Sequence, residues 1–256
     1  MIRKSIAAFA LIAAIASPAA AKTLTVGANV GNVPWEFQNE QSEVVGFEVD
    51  LVQEVARRLG YDEVKIENIP FNGLFSAVQS GRIDAAISSI TITAKRLESV
   101  SFAQPYYDSD QSLSVLESSG ITGLSGLSGK VVGVDTGSTG DMWATEHQAE
   151  YGISDIRRFE GLSPAMLDLA AGRIDGYVSD IPAVEYYIKD KPQYAVVERI
   201  RTGEQYSIMF AKDSPLAAEA TKAIGEMKSD GFMAKLHETW FLSLIHISEP
   251  TRLRRI

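Results

Sequence analysis

The sequence predicts an α/β chain folded as two similar α/β lobes joined by a two-crossing hinge. Three observations carry that prediction. Short apolar strands alternate with amphipathic helices from residue 23 to residue 241, the pattern of parallel sheets with right-handed crossovers. The run Gly-Arg-Ile-Asp occurs twice, at 81–84 and at 172–175. Each copy follows a helix-like stretch (72–80 or 163–171) and precedes a short strand and a polar pair, Ser88-Ser89 or Ser179-Asp180. A weaker echo pairs Val26-Gly27 and Gly31 with Val132-Gly133 and Gly137. Finally, 256 residues of which 45% are apolar can build two lobes of about 100 residues each without cross-links.

Both ends stand apart from this plan. Residues 1–21 read as a cleaved signal peptide, with Arg3-Lys4, an apolar run over 6–15 and a small-residue site at Ala19-Ala20-Ala21. The run is too short to span a bilayer, and no cysteine follows it to carry a lipid, which favours soluble release into a periplasm. Residues 243–256 (SLIHISEPTRLRRI) have no packing period and resemble translated adapter sequence, so they are expected to be a non-native tail.

In order, 23–28 is a strand and 46–59 an amphipathic helix with Val49, Val52, Val55, Ala56 and Leu59 on its buried stripe, stopped by Gly60. Residues 64–69 form a strand, and Pro70-Phe71-Asn72-Gly73 turns into a helix ending at Gln79. Ile83, Ala85 and Ile87 suit a buried parallel strand. An extended segment over 101–107 leads to a strand at 112–116, and 118–129, rich in Ser and Gly, reads as a surface loop. The second lobe opens with a strand at 130–134, a helix at 138–150, a strand at 156–159 and a helix at 163–171. A helix at 181–189 precedes two strands, 194–200 and 205–210, on either side of Thr202-Gly203. Helices at 215–229 and 231–241 close the chain, separated at Asp230-Gly231. Crossings near Gln111 and near Gly203-Glu204 divide the chain into a first lobe, 22–110 with 205–242, and a second lobe, 111–204. A cleft between hinged lobes is a usual place for a small ligand.

Composition excludes several chemistries. With no cysteine there is no disulfide, no thiolate nucleophile and no Cys-bound metal. His147, His237 and His246 have no ligand spacing, so no metal and no cofactor are expected. Without the leader and the tail, 19 basic and 32 acidic residues leave a net charge of −13, which argues against nucleic acid and anionic membrane partners.

One stretch, Ala86–Arg96, looks chemical. Ser88, Ser89, Thr91 and Thr93 follow the buried strand, Thr93 suits an N-cap, and Lys95-Arg96 sit in the first helical turn, where a cation opposes the helix dipole. Unpaired N–H groups at a helix start and an Arg fork would both suit a carboxylate at the carboxyl end of a strand. A solvated Arg in a Ser/Thr-rich turn fits the same residues.

The chain resembles the periplasmic polar amino acid-binding proteins of ABC importers over nearly all of 23–242. The resemblance rests on Pro34-Trp35-Glu36-Phe37, Gly46-Phe47-Glu48-Val49-Asp50-Leu51, Phe71-Asn72-Gly73-Leu74, Ser80-Gly81-Arg82-Ile83-Asp84, Thr91-Ile92-Thr93 with Arg96, Phe102-Ala103-Gln104-Pro105-Tyr106-Tyr107, and Thr202-Gly203-Glu204-Gln205-Tyr206. It implies a type II-like periplasmic binding fold, a monomer, and an amino acid ligand delivered to an ABC permease. It further implies that Arg96 pairs with the ligand α-carboxylate, helped by N–H groups of Thr91 and Thr139 beside Ser138. Ser89 and Thr91 would receive the α-ammonium, with Asp180 completing the cage. Asp180 also suits the N-cap of the 181–189 helix. Around the ligand side chain, Phe71 is an apolar wall and Asp135 comes from the second lobe. The chain departs from the common pattern at Asn29, where an acid is frequent, and at Asn32, where an aromatic is frequent. A polar or cationic side chain, glutamine or an opine-like derivative fits that pocket, and Trp35 reads as a core or rim residue. Two other functions share the scaffold: a cyclohexadienyl dehydratase using Asp135 or Asp180 as general acid, and a ligand-sensing input to a receptor.

Overall fold

The computed structural model describes residues 21–242; the leader (but for Ala21) and the 243–256 tail lie outside the described residues. The elements are β1 (Thr23–Ala28), β2 (Phe37–Gln38), β3 (Val44–Val45), α1 (Phe47–Arg58), β4 (Glu63–Asn68), α2 (Phe71–Gln79), β5 (Ala85–Ala86), α3 (Ala94–Leu97), β6 (Val100–Phe102) and β7 (Tyr107–Leu116). They continue as β8 (Val131–Asp135), α4 (Thr139–His147), β9 (Asp155–Phe159), α5 (Leu162–Ala170), β10 (Gly176–Asp180), α6 (Ile181–Ile188), β11 (Tyr194–Tyr206), β12 (Met209–Ala211), α7 (Pro215–Ser229) and α8 (Phe232–His237).

Two five-stranded sheets organise these into the predicted pair of α/β lobes. The first has the order β4-β1-β5-β12-β6 and the second β11-β7-β10-β8-β9. Reversed, the second reads β9-β8-β10-β7-β11, so β1 answers to β8, β4 to β9 and β5 to β10. The two Gly-Arg-Ile-Asp runs occupy matching places. Gly81 and Gly172 hold φ of +73° and +67° just past α2 and α5, where a Cβ would be strained. Ile83 and Ile174 are each 2% exposed. Asp84 Oδ2 accepts the N–H of Thr25 at 2.8 Å, and Asp175 Oδ2 accepts that of Val131 at 2.8 Å. The paired glycines of the weaker echo complete the unit. A Cβ on Gly27 would stand 2.5 Å from Ile83 Cδ1, and one on Gly133 2.6 Å from Ile174 Cδ1.

Four expectations are corrected. The sheets are mixed: β1 runs parallel to β4 and β5, and β8 to β9 and β10, but β12 and β7 are antiparallel to their neighbours. A strand entering a lobe from the hinge runs against the strands that point toward the cleft. Residues 194–206 form one strand rather than two, because Thr202-Gly203 is taken up as a bulge with a register shift between Ile200 and Glu204 and φ of +63° at Gly203. The 118–129 segment is more than a surface loop, since it buries Ile121 and Leu127 and contains short 3₁₀ turns at Glu117–Ser119 and Leu124–Leu127. The last helix ends at His237 and passes into a wider π-turn, Glu238–Leu242. That turn lays Phe241 against Trp35, Phe47 and Tyr107. Trp35 is fully buried there, a core residue.

The crossings lie side by side. Tyr107 pairs with Tyr206, Asp108 with Gln205, Ser109 with Glu204 and Gln111 with Ile200. The hinge is thus a two-stranded ribbon, and Tyr206 also bridges Thr91 of the first lobe.

Candidate functional site

A cavity of about 160 Å³ opens between the lobes, at the carboxyl ends of β1 and β5 on one side and of β8 and β10 on the other. All ten residues singled out from the sequence line it: Asn29, Asn32, Phe71, Ser89, Thr91 and Arg96 from the first wall, and Asp135, Ser138, Thr139 and Asp180 from the second.

Arg96 is 7% exposed at the start of α3, whose N-cap Thr93 accepts the Arg96 N–H at 3.2 Å. Its guanidinium lies against Phe71 and Phe75, 5.5 and 5.1 Å from the ring centres. Nη1 donates to the Thr91 carbonyl at 2.8 Å, and Nη2 reaches across the cleft to the Gly137 carbonyl at 3.2 Å. No carboxylate among the described residues comes within ion-pair distance of it. Burial lowers its pKa to about 10, against the raising influence of Glu204 and Asp180, so it stays charged at neutral pH. A buried cation held only by carbonyls suits an incoming carboxylate.

The opposite wall ends in acceptors. Asp180 holds the N-cap position of α6 but makes no side-chain cap there. Its carboxylate instead accepts Gln111 Nε2 and the Tyr206 hydroxyl. Burial, and next the charge of Glu204, push Asp180 up to about 8. Asp135 ends β8, with Oδ2 accepting the Tyr177 hydroxyl at 2.8 Å and Oδ1 buried without a partner among the described residues. Burial raises it to about 7, with Glu160 adding and Tyr177 opposing. Ser138 caps α4 by accepting the Asp141 N–H at 3.0 Å.

Beneath the first wall lie two carboxyls that sequence reasoning did not assign. Glu36 and Glu48 are both fully buried. Glu36 Oε1 accepts the Ser88 hydroxyl at 2.7 Å. Glu48 Oε1 accepts the Ser89 N–H at 2.8 Å and the Tyr106 hydroxyl. Burial raises both, and the charge of Glu48 raises Glu36 further; two such groups in contact share a proton rather than both ionise. Ser89, whose N–H is bound by Glu48, sits at φ of +49°, in the left-handed region, and Asn32 Nδ2 donates to its hydroxyl at 3.4 Å. An acid between Trp35 and Phe37, or between Phe47 and Val49, was the available signal, since carboxyls are seldom placed in apolar runs without a partner. Also unassigned were Glu204 and Gln111 in the hinge, and Glu160 at the cavity edge, whose Oε1 accepts the Thr136 hydroxyl at 3.3 Å.

Among the described residues no group of three His, Asp or Glu side chains could hold a metal, and no helix is long and apolar enough to cross a membrane.

The model of the bacterial extracellular solute-binding proteins, family 3, matches residues 24–243. The arginine-binding extracellular protein ArtP of Bacillus subtilis is 32% identical over 223 residues, covering 86% of each chain. The histidine-binding periplasmic protein of Escherichia coli is 30% identical, covering 93% of this chain and 97% of its own. A solved ancestral arginine-binding protein, bound to arginine, has a TM-score of 0.81 and 34% identity over 86% of this chain and 98% of its own.

Proposed function

The chain belongs to the bacterial extracellular solute-binding proteins, family 3, and from that premise we propose that its cleft captures a polar α-amino acid and delivers it to the permease of an ABC importer. The observation that carries this reading is the opposition across one cavity of Arg96, buried on the first wall with no carboxylate partner among the described residues, and the carboxyl of Asp180 on the second. A zwitterion needs both, and neither lobe supplies both, so the ligand stabilises the closed form. Arg96 takes the α-carboxylate with the N–H groups of Thr91 and Thr139, at the α4 start that Ser138 caps. Ser89, Thr91 and Asp180 take the α-ammonium. Phe71, Asn29, Asn32 and Asp135 surround the ligand side chain, where the unpartnered Asp135 oxygen favours a side chain that donates hydrogen bonds or carries positive charge.

In this reading the lobes are 22–110 with 205–242 and 111–204, and the mature protein is a monomer in the periplasm after loss of residues 1–21. The relatives are binding proteins for amino acids rather than enzymes, so the dehydratase alternative is not favoured. The deciding experiment is a thermal-shift panel of the standard amino acids, ornithine, citrulline, opines and polyamines. At about 100 times its Kd a ligand adds about 2.7 kcal/mol, roughly 5–10 °C for a chain of this size. A response to one group of polar amino acids is expected. Silence toward every α-amino acid, with a response to a compound lacking the zwitterion, overturns the reading.

A further inference from the structure

Glu204 lies under the cavity without lining it, 5% exposed on the returning hinge strand, and it touches both walls. Its Oε2 accepts the Thr91 hydroxyl from the first wall at 2.7 Å and the Thr139 hydroxyl from the second at 3.0 Å. Its Oε1 lies 3.0 Å from Gln111 Nε2, whose two protons are shared among Glu204, Thr139 Oγ1 at 3.1 Å and Asp180. Local structure aims it there. The bulge before Glu204 is pinned by the Gly203 N–H on Asp110 Oδ1 at 2.7 Å. Beyond it, Ile92 N–H donates to the Gln205 carbonyl at 2.9 Å and Thr91 bridges Tyr206, so the strand runs directly beneath the Thr91 loop.

A threonine hydroxyl has one proton, and those of Thr91 and Thr139 are both donated to Glu204 Oε2. Both hydroxyl protons therefore point down to Glu204, and Thr91 Oγ1 offers the cavity lone pairs alone. The Thr91 carbonyl is already engaged by Arg96 at 2.8 Å. The Thr91 side chain is thus polarised to receive a donor and to repel a carboxylate, which is left to Arg96.

We propose that Glu204 is a positioning residue for ligand capture: without touching the ligand, it holds the Thr91 hydroxyl as an acceptor toward the ligand ammonium and, through Thr91 and Thr139, ties both cleft walls to the hinge strand. The proposal rests on the α-amino acid reading above. Glu204→Gln keeps the size of the side chain; the Gln111 N–H₂ beside Oε1 holds the amide oxygen on that side, so the new N–H₂ takes the place of Oε2, where both threonine hydroxyls donate, and turns their protons toward the cavity. Affinities are measured by calorimetry for the amino acid found in the panel and for its α-hydroxy acid analogue, with ligand-free melting as a control of folding.

The wild type should prefer the amine, and Glu204→Gln should reduce that preference at least tenfold. Glu204→Asp, still an acceptor only, should keep the preference even where overall affinity falls. A merely structural role weakens both ligands equally and leaves the ratio unchanged in Glu204→Gln; that result overturns the proposal, as does loss of the preference in Glu204→Asp. A wild type that binds no α-amino acid fails the underlying reading and the proposal with it, whereas a binding wild type with an unchanged ratio in Glu204→Gln refutes the role of Glu204 alone.

Discussion

The two lobes share a frame and differ at its tip. In each, a glycine on the first strand makes room for the isoleucine of Gly-Arg-Ile-Asp, and the aspartate of that run clamps the start of the same strand. The strand after it then ends in Ser88-Ser89 in one lobe and in Ser179-Asp180 in the other. The first wall goes on to the cation Arg96; the second ends in carboxylates, Asp135 and Asp180. The repeated part builds a lobe, and the unlike part gives the cleft its polarity. In the proposed reading a ligand with separated charges is recognised where the repeat is broken, because two identical walls would offer like charges to both of its ends.

The strongest way to break this comparison is at the cation. Arg96→Ala should cost α-amino acid binding about 2–5 kcal/mol, since a desolvated carboxylate loses its partner. Tight binding by that variant, measured by calorimetry, would return Arg96 to a structural role. The frame itself is probed by matched truncations. Ile83→Ala and Ile174→Ala should each destabilise by about 3 kcal/mol in urea unfolding, in keeping with fully buried isoleucines. A large cost in one lobe and a negligible one in the other would show that the repeat is not equivalent in energy.

The asymmetry at the tip predicts a pH effect. In the empty cleft, burial and Glu204 raise Asp180 from 3.8 to about 8, so it is protonated at pH 6–7. An ammonium pairs with the ionised form, so binding lowers this pKa and releases a proton. Affinity should then increase with pH toward 8, by at most about tenfold per unit. For the ligand-free protein the sign is opposite: the folded state holds this proton more tightly than the unfolded chain, so the contribution to stability present below pH 3.8 is lost as pH rises through about 8. Calorimetry in buffers of differing ionisation enthalpy counts the proton; none released near pH 6.5, or a release that persists in Asp180→Asn, would contradict the assignment. Smallest is the effect of the strand clamps. Asp84→Ala and Asp175→Ala should each cost about 1–2 kcal/mol, the loss of a carboxylate bond to a backbone N–H. A marked excess at Asp175, which also pairs with Lys130 at 3.2 Å, would measure what that ion pair adds.

Much of this was legible in the sequence because it is written in short range. Helix and strand periods, the glycines past α2 and α5, the Thr93 cap and the doubled Gly-Arg-Ile-Asp are local patterns. The ten cleft residues sit near strand ends and helix starts that such patterns locate, although Asn29, Asn32, Phe71, Asp135, Ser138 and Thr139 are singled out as site residues through the family resemblance alone. Other features were decided by the tertiary structure alone. Whether Thr202-Gly203 is a break or a bulge depends on β7 alongside it, and the direction of β7 and β12 depends on how the chain re-enters each lobe. The depth of Glu36 and Glu48 depends on what closes over them. Glu204 meets Thr91 across 113 residues of chain. Charge and hydroxyl are visible at any position, but a carboxylate becomes a buried acceptor only where distant segments remove its water and supply its donors, and no local pattern records that meeting.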